Sequence, residues 1–279
     1  MTELKMWEII LNIMQIPLSV TVIVVMIRKT KRPRSLLVTF FIFAMLAYAL
    51  DDVYWIAYDF LRPDKWMPFA ANEIAGGATV LLLGAALSTK IDKRFPAKIS
   101  EIIFNLVFFA GCIWLWIAWS GEWFQDIIFT LPYIYFTYIL LRGMRNTKAL
   151  SRTATYFAVA ICAVIVILDG IGLYVSEGTA GIIYNINYGI LNGTSVYLFI
   201  KIIRDRRKGT APEKTLFQSF AFFFWTMLVL DMSSELFYNI GLFIHMVAIF
   251  MMFIAVLAVA DEEIRAGEPV RSEAYHDIS

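Results

Sequence analysis

The chain predicts an all-α fold: a polytopic integral membrane helical bundle of about nine transmembrane helices. Three observations carry that expectation. The 279 residues are 60% hydrophobic and 16% aromatic but only 17% charged, whereas an average soluble domain is roughly 25% charged. The mean hydropathy is +0.69. The basic residues are gathered into four linkers, one at every second gap between apolar runs. The same figures exclude intrinsic disorder and a disulfide scaffold.

A crossing helix needs about 20 apolar residues at 1.5 Å rise each. Runs of that kind lie near 6–28, 35–60, 67–88, 101–120, 123–143, 153–175, 181–203, 215–239 and 241–262. In the first run the basic cluster follows the apolar stretch and no small-residue cleavage site is evident, so it reads as a spanning helix and not as a secretory signal. Gly121 and Glu122 separate the fourth and fifth runs, and the last two divide near Asn239 and Gly241. Pro17 and Pro132 fall inside runs and predict kinks. Residues 1–262 make the bundle. Residues 263–279 make a short tail with no apolar face for an output domain.

Orientation follows from Lys and Arg in the short linkers. The first linker holds Arg28, Lys29, Lys31, Arg32 and Arg34, and the second Lys90, Lys93, Arg94 and Lys98. The third holds Arg142, Arg145, Lys148 and Arg152, and the fourth Lys201, Arg204, Arg206, Arg207, Lys208 and Lys214. With Arg265 and Arg271 in the tail, only Lys5, Arg62 and Lys65 of the 24 basic residues are left for the other side. The N-terminus is therefore expected outside and the C-terminus in the cytoplasm of a cell membrane.

A sparse repeat accompanies the linkers. Arg34, Phe40, Leu50 and Asp51 in the second run match Lys214, Phe220, Leu230 and Asp231 in the eighth. Arg152, Phe157, Leu168 and Asp169 match them in the sixth, with the aromatic one position out of register. The pattern suggests duplication of a helical hairpin, with the fourth run a degenerate copy. Shared topology alone explains it equally well.

The acids carry the functional reading. Asp51, Asp52, Glu73, Asp169, Asp231 and Glu235 all fall within or at the outer ends of predicted spans. A charge deep in lipid costs roughly 2.5–3.5 kcal/mol on the mildest scale, so such residues face the bundle interior or water. Helical spacing places Asp51, Trp55 and Tyr58 on one face, and Asp231, Glu235 and Tyr238 on another. Glu73 shares a face with Gly76 and Gly77, and the seventh run aligns Asn185, Tyr188 and Asn192, with Ser195 one turn on. His245 lies about four residues down the ninth run. If these faces converge they form an outward-facing acidic and aromatic pocket for protons, a metal cation or an organic amine. The same side chains also suit a packing role, each hydrogen-bonded to a neighbouring Tyr, Asn or Ser.

The first functional expectation is transport of a cation or cationic small molecule, with proton coupling an option. The second is a receptor or sensor subunit that binds a ligand on the outer side and signals through a cytoplasmic protein partner. The third is a membrane-embedded acid–base enzyme acting on a lipid, with Asp231 and Glu235, or Asp51 and Glu73, as the carboxylate pair. No nucleophile motif, phosphate loop or cofactor motif is present. Two cysteines inside apolar runs and two histidines cannot build a three-histidine zinc centre. A retinal Schiff base needs a lysine deep in a helix, and every lysine lies at a run end or in a linker. The net charge of +1 gives no sign of nucleic-acid binding.

Overall fold

The computed structural model describes residues 3–30, 34–61, 71–92, 96–120, 123–232 and 235–267. Its described residues form helices and contain no strands. These are α1 (Glu3–Lys29), α2 (Leu36–Leu61), α3 (Ala71–Ser88), α4 (Ile99–Ser120), α5 (Trp123–Asn146), α6 (Arg152–Gly172), α7 (Glu177–Arg207), α8 (Pro212–Met232) and α9 (Glu235–Gly267). Six of them, α1, α2, α4, α5, α6 and α9, are long and apolar enough to cross a membrane. The apolar part of α3 is shorter.

The helix ends follow local chemistry. Ser151 caps α6, its hydroxyl accepting from Ala154 N at 3.2 Å, which satisfies one of the open amides of the first turn. Acidic residues sit in the first turns of α3, α4, α5, α7 and α8, and basic residues in the last turns of α1, α5, α7 and α9, the arrangement the helix dipole favours. Hydroxyls inside the bundle bond back to their own helix: Ser19 to Gln15 O at 2.9 Å, Ser195 to Leu191 O at 3.0 Å and Ser219 to Thr215 O at 2.8 Å. A polar atom in an apolar interior needs such a partner.

The helices pack in the ring order α1, α2, α3, α5, α4, α6, α7, α8, α9 and back to α1, with further contacts α5–α8, α7–α9 and α2–α9. α8 is the most enclosed. Phe217, Phe220, Phe222 and Phe223 are each fully buried, and their rings reach several neighbours. Phe220 meets Phe41 of α2 at 6.3 Å and Phe136 of α5 at 6.5 Å, Phe222 meets Phe199 of α7 at 6.2 Å, and Phe223 meets Tyr48 of α2 at 6.3 Å. α8 is not among the strongly apolar helices. A helix covered by other helices faces little lipid and tolerates Gln218, Ser219 and Thr226 where partners are at hand.

Polar ties fix which ends coincide. At the end carrying the basic linkers, Lys90 pairs with Glu263 of α9 and Arg145 with Glu101 of α4. Asp205 at the foot of α7 accepts from Lys201 at 2.9 Å and from Gln218 of α8 at 2.7 Å. Gln218 Nε2 also donates to Ala149 O at 2.9 Å. At the opposite end, Asn239 of α9 donates to Leu4 O of α1 at 3.1 Å.

The last helical boundary differs from the sequence expectation. α8 covers Pro212–Met232 and α9 covers Glu235–Gly267, so residues 239–241 lie inside α9 and do not divide the two helices. Asp231 therefore ends one helix, and Glu235 and Tyr238 begin the next. Their spacing of i, i+4, i+7 describes no single helix face. The sequence did carry a boundary signal, since Asp231, Ser233, Ser234 and Glu235 interrupt the apolar run between Leu230 and Leu236.

Two outcomes test this packing. A Cβ on Gly143 would overlap the Phe217 ring, whereas one on Gly193 meets nothing within 4 Å. Gly143→Ala is expected to destabilise the detergent-solubilised protein by about 1–3 kcal/mol or more, and Gly193→Ala to be neutral or raise its melting temperature. The second concerns Asp205. Burial pushes its carboxyl up, but hydrogen bonds from Gln218 and Lys201 and the charges of Lys201 and Lys214 outweigh that and hold it below the usual carboxylate range. Its stabilising effect is thus complete above the unfolded-state pKa of about 4 and is lost as pH falls through the lower folded value. Asp205→Asn should cost about 1 kcal/mol at neutral pH, after allowance for solvent screening. Melting curves of the two proteins should converge below about pH 4.

Candidate functional site

Polar side chains gather where α1, α2, α8 and α9 meet. The Tyr48 hydroxyl of α2 donates to the side-chain carbonyl of Gln15 on α1. Gln15 Nε2 in turn donates to Asn12 Oδ1 at 3.1 Å. The Tyr48 ring lies 5.7 Å from the imidazole of His245 on α9. His245 is buried beneath Phe223, ring centroids 4.8 Å apart, and its Nδ1 is 2.8 Å from Thr226 Oγ1. The Thr226 hydroxyl also lies 2.7 Å from Phe223 O, so it can serve the imidazole as acceptor while donating to that carbonyl, or as donor to Nδ1, according to the His245 tautomer.

Asp51 and Asp52 complete the cluster. Both lie within electrostatic reach of Tyr48, as does Tyr238 of α9. Asp52 is 7% exposed, and its Oδ2 has no hydrogen-bond partner among the described residues. Asp51 faces α3: a Cβ on Gly76 would stand 3.4 Å from its Oδ2, so the missing side chain lets the helix close on the carboxylate. Glu73 is one turn earlier on α3 and is exposed.

The depth of the cluster follows from helix length. Asp52 is nine residues before the end of α2, Gln15 twelve after the start of α1, and His245 ten after the start of α9. At 1.5 Å per residue these lie about 14, 18 and 15 Å from the end of the bundle where Asn239 meets Leu4. That is close to half of a hydrocarbon core about 30 Å thick. His245 is thus ten residues into its helix and not four, a direct result of the earlier start of α9.

A second polar contact joins α6 to α7. Asn187 Nδ2 donates to Asp169 Oδ1 at 2.8 Å, and Asn187 is fully buried. Tyr184 is within electrostatic reach of Asp169. The sequence expectation named Asn185 for this face, but Asn185 is exposed. Two residues along a helix turn the side chain by about 200°, so Asn187 takes the inward position. The signal was available: Asn187, Leu191 and Ser195 recur at i, i+4, i+8, and all three are buried. Ser195 belongs with them and not with Asn185. Asn192 is half-buried and donates to Tyr188 O at 3.0 Å, within its own helix.

Of the residues singled out in the sequence, Asp51, His245 and Tyr238 enter the central cluster, and Glu73 stands beside it on α3. Asp169 serves the separate α6–α7 contact. The side chains of Tyr58, Asp231 and Glu235 lie outside the described residues. Asn12, Gln15, Tyr48, Thr226 and Asn187 are participants that the sequence did not single out. Two surface grooves are described, one between α4 and α6 beside Trp114, Gly170 and Tyr174 and one along α7. No protein-family model matches the chain, and no curated protein or solved structure is significantly similar to it.

The His245–Thr226 contact generates a paired outcome. Thr226→Val leaves the buried Nδ1 of His245 without its hydroxyl partner and should destabilise the protein by about 1–3 kcal/mol. Thr226→Ser keeps the hydroxyl and should restore most of that loss, as read from melting curves in one detergent.

Proposed function

We propose that the protein is a multi-pass transporter of a small cation or cationic molecule, driven by protonation and deprotonation of the Asp51–Asp52 pair. In this reading all nine helices cross a cell membrane, with the N-terminus outside and the basic linkers and C-terminus in the cytoplasm. One observation carries it: Asp52 is buried at mid-bundle beside a second carboxyl, with an oxygen that no described residue satisfies. An ionised carboxylate held there is expensive. A proton or a bound cation removes that expense, so occupancy of the site and the charge of the bundle interior are linked.

Two further features support the reading. The cluster lies about 14–18 Å along its helices from the end where Asn239 meets Leu4, a depth compatible with the mid-membrane coupling sites of carriers. It is also a chain of alternating donors and acceptors, from Asn12 through Gln15 to Tyr48, with His245 and Thr226 alongside. Such a chain holds α1 and α2 in one register beside the carboxyl pair. Asp51 and Asp52 are the coupling acids, with the buried His245 ring packed against Tyr48 next to them.

The test is flux in proteoliposomes loaded with a pH-sensitive dye. Sodium, potassium and a series of alkylammonium ions are added outside. At least one should drive proton movement with wild-type protein, and Asp52→Asn should lower the rate to that of protein-free liposomes. Asp261→Asn, an exposed acid of α9 at the basic end, should leave the rate unchanged. Binding of a cation without flux would favour the sensor reading; neither flux nor binding would overturn both.

A further inference from the structure

The basic end of the bundle is not uniform. Lys90 and Arg145 pair with acids on neighbouring helices, Lys201 and Lys214 share Asp205, and Arg34 is spent on Thr30 Oγ1 and Ile27 O. Arg204, Arg207 and Lys208 at the foot of α7 are exposed and, like Arg28, Lys29 and Lys98, have no acidic partner among the described residues. Unlike those three, they line one groove together with apolar side chains.

Their position on the helix gives them a second property. Ile182 and Ile186, then Val196 and Ile200, form an exposed apolar stripe along α7, at 64%, 53%, 46% and 58% exposure. Steps of three and four residues extend that stripe from Ile200 to Arg204, Arg207 and Lys208. Phe199, Ile200 and Ile203 line the upper part of a groove of about 330 Å³, and the three cations line its lower part. The stripe is apolar along the bundle wall and cationic at its foot, which is the charge profile complementary to an amphiphile with an anionic head.

We propose that this stripe binds an anionic phospholipid, with its phosphate held by Arg204, Arg207 and Lys208 and an acyl chain lying along Phe199 and Ile200. Guanidinium groups offer paired N–H donors that match phosphate oxygens. The helix C-terminus places the cations where the dipole already favours them. The site requires only a bilayer around α7 and stands independently of the transport reading.

The experiment titrates the full-length protein in neutral detergent with dioleoyl phosphatidylglycerol, with dioleoyl phosphatidylcholine and with inorganic phosphate, following the melting temperature. Wild type should show a saturable rise with phosphatidylglycerol only. The triple variant Arg204→Gln, Arg207→Gln, Lys208→Gln should need about tenfold more lipid or lose the rise, as expected for loss of charge-assisted hydrogen bonds. A second triple variant, Arg28→Gln, Lys29→Gln, Lys98→Gln, removes equal charge at the same end and should respond like wild type. Equal loss in both variants would mean diffuse attraction to a negative surface and would overturn the site. An equal rise with phosphatidylcholine, or with phosphate alone, would overturn it as well. Native mass spectrometry of Arg207→Gln gives an independent reading if the α7 triple variant does not fold. It should retain fewer phosphatidylglycerol adducts than wild type, and undiminished adducts would count against the proposal.

Discussion

The enclosure of α8 is the constraint on which the rest of the architecture depends. In lipid there is little hydrophobic gain from bringing apolar helices together, so association rests on fit and on polar contacts. α8 supplies the fit. Its rings at Phe217, Phe220, Phe222 and Phe223 reach different neighbours, and Gly143 on α5 gives Phe217 the room it occupies. Truncating such a ring in a close-packed interior opens a cavity worth about 3–5 kcal/mol. The same helix carries Gln218, Trp225 and Thr226, and each finds its partner because the rings set the helix at one depth and one rotation. Gln218 reaches Ala149 O, Trp225 Nε1 reaches Leu191 O at 3.0 Å, and Thr226 reaches His245.

Against that background Asp52 stands out. Most polar groups inside the bundle have a bond: the hydroxyls to their own helices, Asn187 to Asp169, and Asn105 to Ile134 O at 2.7 Å. Asn187, Gln218, Asn239 and Glu263 each keep an open side-chain atom as well, but the open oxygen of buried Asp52 lies beside a second acid, Asp51. A structural acid would be better served by the pattern seen at Asp205, where Lys201 and Gln218 both donate. One chain thus shows two treatments of an acid. One has a satisfied carboxylate at the basic end, and the other an under-satisfied one at mid-depth. That contrast is the main reason for giving Asp52 a part in function and Asp205 a part in structure.

Much of the fold was legible in the sequence because lipid imposes strong, local rules. Run length and the alternation of basic linkers locate most helices, and Asp51 and His245 attract notice because polar groups are rare in such runs. What was not legible depended on burial by other helices. Between α8 and α9, four of the five residues at 231–235 are polar, so the boundary had a signal; reading the acids there as one helix face joined Asp231, Glu235 and Tyr238 across it. Tyr48 and Gln15 look like an ordinary aromatic and an ordinary polar residue until two helices bring them into contact. Asn187 and Asn185 are both amides, and only the phase of the helix separates an inward partner of Asp169 from an exposed side chain.

The distribution of contact types also says how a bundle of this kind can move. α7 and α8 are stitched by directional bonds, Gln218 to Asp205 and Trp225 to Leu191 O, and α9 joins them through His245 and Thr226. α1 and α2 are stitched through Gln15 and Tyr48. Between α2 and α8 the meeting groups are rings, Phe41 with Phe220 and Tyr48 with Phe223. Breaking a hydrogen bond in an apolar interior leaves an unsatisfied group and costs about 1–3 kcal/mol, whereas tilted rings exchange one set of dispersion contacts for another. The α2–α8 contact is thus made by rings, while the same two groups of helices are tied elsewhere by the bond from Asn239 of α9 to Leu4 O of α1. Asp51 and Asp52 are carried by α2, one turn along the chain from Tyr48. In the proposed transport reading, a change of charge on that pair would act next to the ring-to-ring contact, away from that tie.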